Sequence, residues 1–196
     1  EDNVAAQLAG CDGIIVPGGF GDRSIEGMIT TAKYCREHDI PYLGICLGMQ
    51  IAVIEFARHV CGLADANSGE FSKTSAHKII DFLPDQSETI DKGATLRLGA
   101  YPCHILPGTR MHECYGCDEI RERHRHRYEF NNDYREMLTD AGMTLCGQSP
   151  DGHIVEDVEL SDHRFFVGVQ FHPEFKSRPN RAHPLFKALV ESSLKK

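Results

Sequence analysis

Apolar positions along this chain follow two rhythms. Short, nearly unbroken runs, "GIIV" (13–16) and "PYLGI" (41–45), are rich in branched and aromatic residues and stop at glycine-containing turns, as strands buried on both faces do. Each is followed by a three- and four-residue spacing. Ile25, Met28, Ile29, Ala32 and Cys35 recur this way up to His38, and "LGMQIAVIEFARHV" (47–60) repeats it, which predicts two helices, with Gly62 placed to end the second. Strand, helix, strand, helix predicts an α/β fold with a mostly parallel central sheet and helices on both faces.

The middle of the chain changes character. "KIIDFL" (78–83), "ATLRLGAYPCHIL" (94–106) and "IRERHRHRYEF" (120–130) read as strands joined by turns, with a short helical turn near 110–116, and they predict antiparallel additions at one edge. Alternation in the last of these sets Arg121, Arg123, Arg125 and Arg127 on one face and the histidines on the other. "NNDYREMLTDAG" (131–142) predicts a helix with an Asn or Asp cap and Gly142 at its end. "TLCGQS", "HIVEDVEL" and "FFVGVQF" return to strands, and "HPLFKALVESSL" (183–194) closes the chain as a helix. No repeat or linker interrupts residues 1–196, so one domain is expected. A parallel sheet ordinarily opens with a strand and a helix, and only "EDNVAAQLAGCD" precedes the first strand here, so the natural protein is expected to continue upstream.

Composition narrows the function. The chain has 196 residues, 41% of them hydrophobic, enough for one sizeable core. Its 21 lysines and arginines face 29 aspartates and glutamates, a formal charge of −8 that argues against broad binding to nucleic acid or anionic lipid. No stretch approaches the ~20 apolar residues of a membrane span, and the acidic opening lacks the features of a signal peptide. A cytoplasmic protein is expected. Its eight cysteines then read as reduced thiols, most of them small core residues. Cys114 and Cys117 have C-x-x-C spacing, with Cys103, His104 and His112 nearby, so a zinc site can be drawn; no second C-x-x-C accompanies it, and no metal is expected.

One cysteine stands apart. Cys46 lies between Gly44 and Gly48 at the junction of a strand and a helix, the form of a nucleophile elbow, in which glycines relieve the crowding around a side chain on a strained turn. The positive end of the helix would favour its thiolate. A buried cysteine between glycines needed only for close helix packing fits this segment equally well. A base is on offer far along the chain: "FFVGVQF" runs into His172, Pro173 and Glu174. Proline stops the strand there, which puts His172 at a strand end, and Glu174 is close enough to orient its imidazole.

Taken in order, "PGGFG" (17–21), "GICLGMQ" (44–50) and "VQFHPEF" (169–175) resemble the three signature segments of the class I glutamine amidotransferases. "GGFGDRSIEGMITTAKY", "DANSGEF", "ATLRLGAYPC" and "ERHRHRYEFNN" extend the resemblance, over nearly the whole chain, to the glutaminase domain of CTP synthase. The resemblance implies a flavodoxin-like architecture with added antiparallel strands, lacking here its first strand and helix and the upstream synthetase domain. It implies Cys46 as nucleophile, His172 as acid and base, and Glu174 as its support. Gly19 and Leu47 would supply oxyanion donors, and Gln50, Glu70 and Arg127 would select L-glutamine. It implies no cofactor in this domain. ATP, magnesium and UTP would belong to the synthetase (amidoligase) domain, GTP would act as allosteric activator, and the full-length enzyme would be a homotetramer. Other readings stay open at this point: a stand-alone γ-glutamyl hydrolase, or a non-catalytic regulatory or assembly module of the same fold. "PGGFG" alone could be a plain turn; it lacks the G-x-G-x-x-G spacing and the Walker lysine of a phosphate loop. The arginine run alone could be a solvated strand or an RNA patch, against which the net acidity speaks.

Overall fold

Residues 2–82 and 97–195 are described by a computed structural model, and they form two sheets around one central helix. Helix α1 (Asp2–Leu8) leads into strand β1 (Ile14–Val16), helix α2 (Ile25–Glu37), strand β2 (Tyr42–Ile45) and helix α3 (Leu47–His59). Strands β3 (Asn67–Ser68) and β4 (Lys78–Asp81) follow, then β5 (Arg97–Ile105), helix α4 (Arg110–Tyr115), β6 (Glu119–His126) and β7 (Glu129–Phe130). A 3-10 turn (Asn132–Tyr134), helix α5 (Arg135–Asp140), strands β8 (Met143–Gln148), β9 (Val155–Leu160) and β10 (Phe166–Val169), a second 3-10 turn (Pro173–Phe175) and helix α6 (Pro184–Leu194) complete the order.

The larger sheet runs β1-β2-β10-β9-β8-β5-β6. Its parallel part is β1, β2 and β10; every pairing from β10 outward to β6 is antiparallel. The α/β class and the antiparallel extension match the expectation, and the extension is the larger share of the sheet. Alternation along β2 and β10 divides the core in two. Tyr42 and Phe166 stack at 4.5 Å on the side of α3, while Leu43, Ile45, Val167 and Val169 pack with Leu185 and Leu189 of α6. Helices thus cover both faces.

Helix α3 is buried at every residue from Leu47 to Ala57. The larger sheet lies on one side of it and the small sheet β3-β4-β7 meets it on another, which is why its sequence is apolar nearly all round. Its one buried carboxylate, Glu55, is gripped by Arg36 of α2 at 2.8 and 2.9 Å. Glycines set how closely α3 lies on the sheet. A Cβ on Gly48 would stand 2.1 Å from the carbonyl oxygen of Val16, and one on Gly44 would stand 2.5 Å from the backbone of Gly48.

Two expected elements are split. The run 120–130 does not continue as one strand: β6 ends at His126, Arg127 and Tyr128 turn away, and Glu129–Phe130 joins the small sheet beside Ile80. The run 131–142 opens as a 3-10 turn capped by Asn131 before α5 begins at Arg135. The last residue of "KIIDFL" and the first three of "ATLRLGAYPCHIL" lie outside the described residues.

Candidate active site

Cys46 sits where β2 ends and α3 starts, with φ 52° and ψ −100°, a conformation that a residue with a side chain adopts only when its surroundings impose it. Its neighbours do impose it: the Cys46 N–H donates to the Val169 carbonyl at 2.7 Å, and its own carbonyl accepts the first helical bond, from Gln50, at 3.3 Å. The flanking glycines serve close packing, and the same packing forces the thiol onto a strained turn.

Adjacent β10 ends at Val169, three residues before His172, whose backbone N–H donates to the Arg123 carbonyl at 2.8 Å. The Nδ1 of His172 lies 2.6 Å from the Glu174 carboxylate, and its Nε2 is buried with no hydrogen-bond partner among the described residues. Gly18 shows how near the imidazole comes to the thiol. The position a Cβ would take on Gly18 is 2.8 Å from Cε1 of His172 and 3.5 Å from Cβ of Cys46.

Six of the residues singled out in the sequence, Gly19, Cys46, Leu47, Gln50, Glu70 and Arg127, line one cavity of about 360 Å³, together with Phe20, Arg125, His126 and Tyr128. His172 and Glu174 are not among the residues lining this cavity. Within the cavity the Glu70 carboxylate accepts from the Gly21 N–H at 3.3 Å; burial raises it above its ordinary value, and that hydrogen bond and the charge of Arg127 oppose the rise. Gln50 donates from Nε2 to the carbonyl of Tyr128 at 3.2 Å.

The thiol departs from one expectation. Burial pushes Cys46 up to about 12; the backbone N–H of Leu47 works against this, and the charges of Glu174, Glu129 and Glu70 add to it. The helix end alone does not make a thiolate here. A thiol raised this far keeps its proton near neutral pH, and a base would have to take that proton before the sulfur could attack.

The residues near the C-x-x-C pair have other partners. His112 pairs with Asp118 at 2.9 Å, His104 with Glu119 at 2.8 Å, and the buried Cys103 lies 3.4 Å from Asp157. Among the described residues no group of three or more His, Cys, Asp or Glu side chains is placed to hold a metal ion, and no helix is long and apolar enough to cross a membrane.

The family model of class-I glutamine amidotransferases matches residues 1–192. The chain belongs to the class I glutamine amidotransferases. This amidotransferase superposes on the glutaminase domain of Trypanosoma brucei CTPS with bound acivicin at a TM-score of 0.93 and 41% identity, covering 100% of this chain and 75% of that one. It is 60% identical over 195 residues to a CTP synthase of Carboxydothermus hydrogenoformans, 100% of this chain and 36% of that protein. A CTP synthase of Moorella thermoacetica is 61% identical over 190 residues, 97% of this chain and 35% of that protein. The chain thus spans about a third of the length of these curated relatives. A glutamine amidotransferase of Thermotoga maritima, 15% identical with a TM-score of 0.55 over 93% of this chain and 78% of that one, shares the fold.

Sequence reasoning passes over two residues next to Cys46. Gly18 reads there only as part of a turn. Gln170, fully buried, touches both Cys46 and Gln50, yet in the sequence it reads as one more strand position. Its signal is present: it is the lone polar residue within "FFVGVQF".

Proposed function

We propose that this chain is the glutamine-hydrolysing part of a CTP synthase. One observation carries the reading: the strained Cys46 opens onto a cavity that also holds a carboxylate, Glu70, and a guanidinium, Arg127. A cavity of about 360 Å³ suits one amino acid. Arg127 would take the α-carboxylate of L-glutamine and Glu70 its α-ammonium, leaving the side-chain carboxamide at the sulfur.

The reaction follows from the triad. Glu174 accepts from Nδ1–H of His172, so Nε2 carries the lone pair and takes the Cys46 proton as the sulfur attacks the carboxamide carbon. The oxyanion is met by the N–H groups of Gly19 and Leu47, each donor being worth about 3 kcal/mol of barrier. His172 returns the proton to the leaving nitrogen, the C–N bond breaks, and ammonia departs from a glutamyl thioester. The same imidazole then deprotonates water, which attacks the thioester; glutamate leaves and the thiol is restored.

By this reading ammonia serves the amination of UTP to CTP in pyrimidine nucleotide biosynthesis, in the cytoplasm. The ATP, magnesium and UTP sites and the contacts of a homotetramer belong to a synthetase part beyond this chain, and GTP promotes hydrolysis.

Acivicin tests the reading. It is expected to label Cys46 alone among the eight cysteines, L-glutamine is expected to slow the labelling, and Cys46→Ala is expected to abolish ammonia release with the synthetase part present. Labelling spread over other thiols, or equal ammonia release by both chains, defeats it.

A further inference from the structure

Gln170 follows β10, and none of its surface reaches solvent. Its hydrogen bonds settle which end of its amide points where. The Nε2 of Gln50 lies 3.2 Å from the Tyr128 carbonyl, which can only accept, so that atom of Gln50 is a donor. The same Nε2 lies 3.2 Å from Oε1 of Gln170, an acceptor. The other end of the Gln170 amide is therefore its NH₂, and it lies 3.6 Å from Sγ of Cys46. A flip would set two NH₂ groups against each other and an oxygen against the sulfur. The backbone is held as well, the Gln170 N–H donating to the Glu156 carbonyl at 2.8 Å.

This geometry meets a need of the site. Sulfur must carry negative charge in a buried place with the carboxylates of Glu174, Glu129 and Glu70 nearby. The sulfur also lies 4.0 Å from the backbone carbonyl of Arg125, which accepts from the thiol and repels the anion. We propose that Gln170 is a further catalytic residue, its side-chain N–H donating to the Cys46 sulfur and stabilising the thiolate as the thiol proton passes to Nε2 of His172. The assignment to glutamine turnover rests on the function proposed above; the assignment to the sulfur does not.

Gln170→Met keeps the length of the side chain and removes the donor. Alkylation of Cys46 by iodoacetamide at a fixed pH between 7 and 9, followed by mass spectrometry, reads the thiolate fraction, because below the thiol's own titration the rate follows that fraction. The rate is expected to fall about tenfold, the effect of losing one hydrogen bond to a charged group. With glutamine, kcat is expected to fall about tenfold while KM stays within about threefold. An unchanged alkylation rate overturns the proposal, as does a raised KM at unchanged kcat, which would make Gln170 only a support for Gln50. Should the variant fail to fold, the side-chain ¹⁵N amide resonance of Gln170 in the unaltered chain serves instead. It is expected to begin shifting toward pH 11 as the thiol starts to ionise and to lose that shift in Cys46→Ala, and a resonance with the same pH course in both chains overturns the proposal. A lowered alkylation rate without any glutamine turnover by the unaltered chain, synthetase part included, would defeat the function and leave the thiolate role standing; turnover with an unchanged alkylation rate would do the reverse.

Discussion

Glu174 holds Nδ1 of His172 at 2.6 Å while Nε2 of the same ring is buried with no partner among the described residues. The carboxylate can only accept, so it fixes the tautomer that leaves the lone pair on Nε2, and in the proposed mechanism it would stabilise the imidazolium. Glu174→Gln keeps the shape and removes the charge. Its kcat for glutamine is expected to fall by about 10²–10⁴ with a nearly constant KM, read in a coupled ammonia assay. A loss below about threefold would remove Glu174 from the mechanism.

Gly18 gives an independent test of how the thiol and the imidazole are placed. Its φ is not in the left-handed region, so alanine costs no backbone strain, but the added methyl would stand 2.8 Å from Cε1 of His172. The ring must move away. Gly18→Ala is expected to lower kcat about a hundredfold, the cost of roughly 1 Å of misplacement, with a melting temperature close to that of the parent. A fully active Gly18→Ala chain would mean that the imidazole works from another position.

Much of this architecture is legible in local pattern because local pattern is governed by local physics. The alternation in β6 does bury Glu122, His124 and His126 and expose Arg121, Arg123 and Arg125. Helix α2 spans Ile25–Glu37, within a residue of the range its apolar spacing predicts. What pattern does not carry is partnership between distant segments. Nothing in "FFVGVQF" says that it lies beside β2 and brings Gln170 to Cys46, because strand order is decided by which faces bury each other. The break after His126 is hidden for a related reason. Tyr128 and Phe130 have the composition of a continuing strand, yet Phe130 pairs with Ile80 of the small sheet. The thiol's raised proton affinity is equally hidden, since it arises from burial, a property of the assembled core.

Two glycine-to-alanine changes separate packing from propensity. At Gly48 the new methyl would lie 2.1 Å from the Val16 carbonyl oxygen, backbone against backbone, and α3 would have to lift from β1. Gly48→Ala is expected to destabilise the chain by about 3 kcal/mol in urea unfolding. Gly27 lies in α2 with nothing within 4 Å of its Cβ position, and Gly27→Ala is expected to stabilise by about 0.5–1 kcal/mol. Equal effects at the two positions would contradict the close approach of α3.

Glu70 and Arg127 face a common cavity, and their proposed partners are the two charged groups of one amino acid. Glu70→Gln is expected to raise the KM for glutamine about tenfold or more, with a smaller change in kcat. Glutaramate has the same carboxamide and carboxylate but no α-ammonium. Parent and variant are expected to handle it alike, and a loss as large as that with glutamine would show that Glu70 does not read the ammonium.

Buried thiols set an alkaline limit on stability. Cys35 of α2 is fully buried, and burial, with a smaller contribution from Cys11, pushes it from 9.0 up to about 12. In the unfolded chain it titrates near its ordinary value. Between these two values the native state keeps a proton that the unfolded state has released, so stability is complete below about pH 9 and falls as pH rises toward 12. One such thiol contributes a slope of about 1.4 kcal/mol per pH unit. Cys35→Ala leaves every lysine and tyrosine unchanged and deletes this one proton. Urea unfolding at a series of pH values from 8 to 11 is expected to show a slightly less stable variant at pH 8, from the lost sulfur, and a shallower decline above pH 9. Parallel curves for the two chains would mean that Cys35 ionises in the folded protein as readily as in the unfolded one, and that the core around α2 admits water.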